Sequence, residues 1–305
     1  MKKTISIIIS IAMCAMLAYA GGVKSNVSDK EQPTLIDTMN LEEKVGQILF
    51  VRCVEDEQTD DLMSIKPGGI LMFGRDFEGL TKDEVKEKIQ SYQDKSDIPL
   101  IIGADEEGGT VVRVSSNPNL APEKFKSPQE IYNEGGMDAV VENATEKSEL
   151  LLSLGVNMNL APVADISTNP SDYMYDRSLG QNAEVTADFV SKTVTAMNNA
   201  GIMSVLKHFP GYGGVGGDSH QGTVYDDKTA ESIRENDLLP FKAGIEAGAS
   251  SVLVAHNTVN ALDSENPASL SPTIHNMLRD ECGFDGKTTL LWVQSQIWRM
   301  CTLKR

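Results

Sequence analysis

Cysteine is scarce, with four residues in a chain of 305: Cys14, Cys53, Cys282 and Cys301. Cys14 lies in a segment expected to be removed, and the three that remain do not make a disulfide framework. Positive charge is also short, at 27 Lys and Arg against 44 Asp and Glu. That balance argues against nucleic acid or an anionic lipid surface as a partner. No apolar run reaches the roughly 20 residues needed to span a bilayer, so no membrane span is expected. The four histidines, His208, His220, His256 and His275, fall in no HExxH spacing and no Cys/His cluster, and no metal is expected. Ser219 lacks the G-x-S-x-G context of a nucleophile elbow. Internal repeats and low-complexity tracts are absent, and nothing calls for an organic cofactor.

At the start, Lys2 and Lys3 precede an apolar run from Ile5 to Leu17, followed by Ala18-Tyr19-Ala20 before Gly21. This basic, apolar and small-residue order reads as a secretory signal over residues 1–20, cleaved after Ala20. The product is then expected to be secreted or associated with the cell envelope. Met13 before Cys14 disfavours lipid attachment. Removal of two lysines and no acid leaves 25 basic and 44 acidic residues, a charge of −19. Residues 21–33 read as a short exported linker.

From Leu41 onward, short apolar runs alternate with longer amphipathic segments, as in βα units around a parallel sheet. Strands are expected at 45–51, 69–73, 99–103, 156–160, 201–206 and 251–255, with helices at 82–94, 137–154, 183–200, 230–247 and 271–281. A seventh strand is expected after Gly283-Phe284-Asp285-Gly286. No glycine-rich nucleotide turn follows the first strand, which argues against a doubly wound open sheet. The fold class is therefore α/β, a (β/α)8 TIM-type barrel over residues 34–286, incomplete after about six to seven units. Functional residues of such barrels gather at the C-terminal ends of strands.

Unusual polar residues stand at those ends. After the third strand come Asp105-Glu106-Glu107-Gly108-Gly109 and Arg113. Acids beside glycines also suit a solvated turn, but Asp105 is placed to grip two sugar hydroxyls at once. After the fourth strand, Asn159 to Asp165 is followed by Arg177-Ser178-Leu179-Gly180. Arg177 fits either a pair of ligand oxygens or a structural pairing with Asp165 or Asp176. After the fifth, Lys207-His208-Phe209-Pro210-Gly211 opens a glycine-rich loop that reaches Asp218-Ser219-His220. In an extended segment, Asp218 and His220 would share one face, and a carboxylate beside an imidazole suits a general acid/base. His256, after the sixth strand, reads equally as pocket lining or core.

Together these residues resemble family 3 glycoside hydrolases of the β-N-acetylhexosaminidase branch, over roughly residues 35 to 286. Asp105 to Arg113 fits the family's D-x-E-G-G-x-V-x-R, with Glu106 where a Gln is common. The resemblance implies His220 as acid/base and Asp218 as its partner. It implies Asp105, Arg113, Arg177, Lys207 and His208 as the residues holding a terminal N-acetylglucosamine of a cell-wall or chitin-type glycan. The reaction implied is retaining hydrolysis through a glycosyl-enzyme. The alternatives are a β-glucosidase, phosphate in place of water as acceptor, or a sugar-binding protein without catalysis.

The resemblance breaks after Gly286. The family's nucleophile is an Asp in a segment like T-D-D-L-x-M-G-A-I, whereas here no Asp or Glu follows Asp285, and both tryptophans, Trp292 and Trp298, lie in this tail. Encoded with suitable synonymous codons and read two bases later, residues 287–298 become Asp-Asp-Leu-Val-Met-Gly-Ala-Ile-Ser-Asp-Met. Residues 287–305 are thus expected to be an out-of-frame tail, and the chain as written to lack its nucleophile. It is then expected to be inactive and, without its last barrel units, poorly folded.

Overall fold

A computed structural model describes residues 34–219 and 221–286. The expected signal segment, linker, seventh strand and tail, and His220, lie outside the described residues. The chain divides at Asn40/Leu41. Before that point, residues 35–38 form one helical turn, closed by the Thr34 amide and hydroxyl donating to the Asp37 carboxylate at 2.8 and 2.7 Å.

After it, six strands form a parallel sheet: β1 (Phe50–Arg52), β2 (Gly69–Met72), β3 (Ile101–Ala104), β4 (Met158–Asn159), β5 (Met203–Phe209) and β7 (Ser251–Val254), in that spatial order. The short strands β6 (Tyr225–Asp226) and β8 (Thr258–Val259) pair separately. The first helix after Asn40, α1, is Leu41–Gln47. Four longer helices make the returns between sheet strands: α2 (Lys82–Gln93), α3 (Pro128–Leu154), α4 (Ala183–Ala200) and α5 (Leu238–Glu246). Sheet neighbours follow one another along the chain without the order reversal of a doubly wound fold. This is an incomplete (β/α)8 barrel, with six sheet strands among the described residues.

Strand alternation separates two apolar layers. On the inner face Leu71, Met158, Leu160 and Val205 cluster with Phe50 and Leu253. A Cβ at Gly69 or Gly103 would come within 2.5 or 2.7 Å of the Phe50 ring, so these glycines make room for it. On the outer face Ile70, Met72 and Ile102 pack with Val85 and Ile89 of α2 and Leu151 and Leu154 of α3. Leu206, Phe209, Val252 and Val254 pack in the same way with Phe189, Val190 and Val194 of α4 and Phe241 of α5. Burying each such side chain contributes roughly 1.5–3 kcal/mol.

Helix ends follow local chemistry. The Asn182 side chain accepts from the Val185 amide at 3.0 Å to begin α4, and Gly201, at φ 89°, ends it. α3 starts at Pro128, nine residues before the expected 137, and breaks at Gly136 (φ 65°, ψ −154°). The expected segment is the part after that break. Residues 45–47, expected as strand, end α1 instead. Leu41, Val45 and Ile48 recur at helical rather than alternating spacing. Gly46 also lies so close to the Ile65 carbonyl that any side chain there would overlap it.

Two irregularities shape the C-terminal end of the sheet. Beyond β4 the chain continues alongside β5: the Val205 amide donates to Ala161 O at 2.9 Å and the Ala164 amide to Lys207 O at 2.7 Å. In the pairing of β5 with β7 the register slips between Lys207 and Phe209, a bulge at His208. In a regular strand two consecutive side chains point to opposite faces; at a bulge they can point the same way.

Candidate active site

The turn after β3 is built around Glu106, which is fully buried. Its carboxylate accepts the amides of Arg113, Val114 and Ser115 at 2.8, 2.7 and 3.3 Å, and the Ser115 hydroxyl as well. A glutamine has only one acceptor oxygen, so the carboxylate suits this ring of donors. Gly108 and Gly109 have φ of 103° and 62°, and a Cβ at Gly108 would overlap the Lys126 carbonyl. Asp105 and Glu107 flank Glu106 in this turn.

Lys207, at the end of β5 and 2% exposed, joins them, with Nζ 2.7 Å from Asp105 Oδ1 and 2.5 Å from Glu107 Oε1. Arg177 grips Glu107 bidentately, Nε to Oε2 at 2.9 Å and Nη2 to Oε1 at 2.7 Å. Burial alone would raise the Glu107 carboxyl, but the Lys207 and Arg177 charges hold it far below the usual carboxylate range. Burial likewise opposes the Arg177 charge, and Glu107 overcomes it. Arg113 Nη2 lies 3.5 Å from Asp105 Oδ2, while its buried Nε has no hydrogen-bond partner among the described residues. Two carboxylates and three cations leave this cluster with a net positive charge.

The prolonged β4 line brings Asp165 beside His208. Asp165 is fully buried and accepts the His208 and Tyr212 amides at Oδ1, at 3.1 and 2.7 Å, while Oδ2 lies 2.7 Å from His208 Nδ1. Burial would raise the Asp165 carboxyl, but the His208 ring and the two amides hold it below the usual range. Burial lowers the affinity of His208 for a proton, the nearby Arg177 and Lys207 charges add to this, and together they outweigh Asp165. A neutral imidazole with its Nδ1 proton on Asp165 leaves Nε2 as an acceptor.

A pocket of about 510 Å³ opens here, lined by Asp105, Arg113, Arg177, Lys207 and His208, with Tyr173, Tyr212, Ser219 and His256 around them and Phe50, Leu71, Leu160 and Leu253 as its apolar part. Volume and lining suit a small polar ligand with apolar faces, such as a sugar ring. The bulge lets Lys207 and His208, adjacent in sequence, both line it. All five residues expected to hold a ligand therefore meet on one pocket. Arg177 also has a structural partner, which is Glu107 rather than Asp165 or Asp176. His256 lines the pocket.

The loop that follows carries Asp218. Tyr212 donates its hydroxyl to Gly217 O at 2.8 Å and receives the Ser219 amide at 2.9 Å. The Gln221 amide donates to Asp218 O at 2.9 Å. Positive-φ glycines, Gly214 and Gly217, supply bends in this loop, and the expected pairing of Asp218 with His220 falls outside the described residues. Glu107 and Asp165 were not singled out by the sequence as the carboxylates that organise the site. The signal was present, in an acid ahead of two glycines and an acid ending an apolar strand, but the partners of each come from other strands.

Residues 40–292 match the family described as glycosyl hydrolase family 3 N terminal domain. The chain is 32% identical over 238 residues to Beta-hexosaminidase A of Pseudoalteromonas piscicida, covering 72% of this chain and 40% of that protein. It is 30% identical over 232 residues to a Beta-hexosaminidase of Xanthomonas oryzae pv. oryzae, covering 75% and 69%. Among solved structures, a glycoside hydrolase family 3 beta-N-acetylglucosaminidase from Paenibacillus sp. superimposes with a TM-score of 0.76 at 30% identity, over 82% of this chain and 48% of that one. The chain thus spans about half or less of two of these three relatives.

Proposed function

The chain belongs to glycosyl hydrolase family 3, and from that premise we propose that its pocket receives a terminal β-linked N-acetylglucosamine for exo-hydrolysis. The observation that carries this reading is the paired cluster at the C-terminal ends of β3 to β5. Lys207 clamps Asp105 at Oδ1, leaving Oδ2, with Arg113 Nη2 3.5 Å away, to accept sugar hydroxyls, while neutral His208 offers Nε2 as an acceptor beside it. The names carried by the relatives in the hexosaminidase branch support the choice of sugar.

Retaining cleavage needs an acid/base and a carboxylate nucleophile. Asp218 with His220 is the acid/base of this reading. Glu107 is unsuited as nucleophile, because Lys207 and Arg177 occupy both its oxygens within 2.9 Å. No Asp or Glu follows Asp285. Restoring the frame after Gly286 is therefore expected to yield an enzyme faster on an aryl N-acetyl-β-glucosaminide than on an aryl β-glucoside. Faster glucoside cleavage would instead make it a β-glucosidase, and a rate that depends on added phosphate would make it a phosphorylase. That missing carboxylate favours a second reading for the chain as written, a sugar-binding protein without turnover, exported through its N-terminal segment.

A further inference from the structure

The loop bearing Asp218 and His220 is rooted on a charged cluster outside the pocket. Lys228, two residues past β6, directs its ammonium at Gly213 O at 3.0 Å, Asp237 Oδ1 at 2.6 Å and Asp226 Oδ2 at 3.3 Å. Gly213 O and Asp237 Oδ1 accept hydrogen bonds from the ammonium, while Asp226 Oδ2 is held as an ion pair without a hydrogen-bond partner among the described residues. The Lys228 amide also donates to Asp226 Oδ1 at 2.9 Å, which fixes the lysine to the strand it follows.

Asp237, just ahead of α5, packs against Gly211, where a Cβ would lie 2.7 Å from the Asp237 Cβ and Oδ1. Gly213 is pressed against the Ile166 carbonyl from the β4 side, so closely that a Cβ would overlap it. Residues 211–213 are thus held between the prolonged β4 line and the Lys228 cluster. Tyr212, within this stretch, carries the hold onward through its hydroxyl to Gly217 and Ser219, on either side of Asp218.

We propose that Lys228 is a positioning residue, whose ammonium seats the root of the 211–219 loop and through it holds the stretch from Gly217 to Ser219, which carries Asp218, at the edge of the pocket. This rests on the reading of Asp218 and His220 as acid/base. Without the ammonium, Gly213 O loses a donor, and two carboxylates that are 2% and 5% exposed face one another without their shared cation. Neither Lys228 nor Asp237 lines the pocket, so the sugar-holding residues keep their own partners.

Hydrogen exchange followed by mass spectrometry on the 305-residue chain tests the proposal without needing turnover. Lys228→Met is expected to speed exchange of peptides within 211–224 about tenfold, with the remaining peptides nearly unchanged. Lys228→Arg, which keeps the cation, should restore protection. Asp237→Ala, which removes the acceptor itself, should loosen the same peptides, and the double variant should add little to either single change. Affinity for N-acetylglucosamine, read by calorimetry, should stay within about threefold of the parent in Lys228→Met. Unchanged exchange at 211–224 would overturn the proposal. So would acceleration spread over β1 to β5 that Arg does not rescue, or full additivity of the two variants. Failure of the aryl-glucosaminide assay would strike the functional reading alone, because local, rescuable loosening would still establish the anchor.

Discussion

At the scale of single residues, the site is a set of carboxylates whose neighbours decide their charge. Glu107 and Asp165 are buried yet held ionised by cations, an imidazole and amides. Asp237 goes the other way. Burial lifts its carboxyl from the ordinary 3.8 to about 6, the Asp226 and Asp165 charges add to the rise, and Lys228 only partly opposes it. A raised folded value means that Asp237 contributes stability below about pH 4, lost as pH rises through about 6. Urea titrations across that window should therefore show a loss of stability in the parent that Asp237→Asn largely flattens; an equal slope in both proteins would refute this assignment. Much of the residue-scale chemistry was legible, because Asp105, Arg113, Lys207 and His208 stand in one chain next to strand ends. Their pairing was not. That Arg177 closes on Glu107, 70 residues earlier, and Asp165 on His208, 43 residues later, depends on which strands become neighbours.

At the scale of elements, the same division holds for physical reasons. α4 was legible at both ends because Asn182 and Gly201 are local signals, and the six sheet strands were legible as apolar runs. α1 was misread because an apolar run of mixed spacing suits either period until packing decides. The bulge at His208 leaves no local signature, yet it turns two adjacent residues toward one pocket. The helical layer rests on buried contacts such as Phe209 against Phe241, edge to face with centroids 5.2 Å apart. Phe241 is fully buried on α5, the helix that follows Asp237. Phe241→Ala is expected to cost about 3–5 kcal/mol in urea unfolding, through lost transfer energy and the cavity left behind. A cost under about 1 kcal/mol would mean that α5 is not packed on β5 as described.

At the scale of the whole molecule, the described barrel strands from β1 to β7 already assemble one pocket wall, since β5 and the segments that follow β3 and β4 supply the paired charges in it. Among the described residues β1 pairs with β2 alone and β7 with β5 alone. In the proposed reading binding and turnover separate on this chain: Asp105, Arg113, Arg177, Lys207 and His208 line one pocket, while no Asp or Glu follows Asp285. Calorimetric titration of the 305-residue chain with N-acetylglucosamine, beside Lys207→Met, tests this account most directly. The account predicts saturable binding at one site, weaker for glucose, and lost in Lys207→Met, where Asp105 and Glu107 are left without the cation between them. A folded parent that binds no N-acetylglucosamine, or a folded Lys207→Met that binds it as well as the parent, would contradict it.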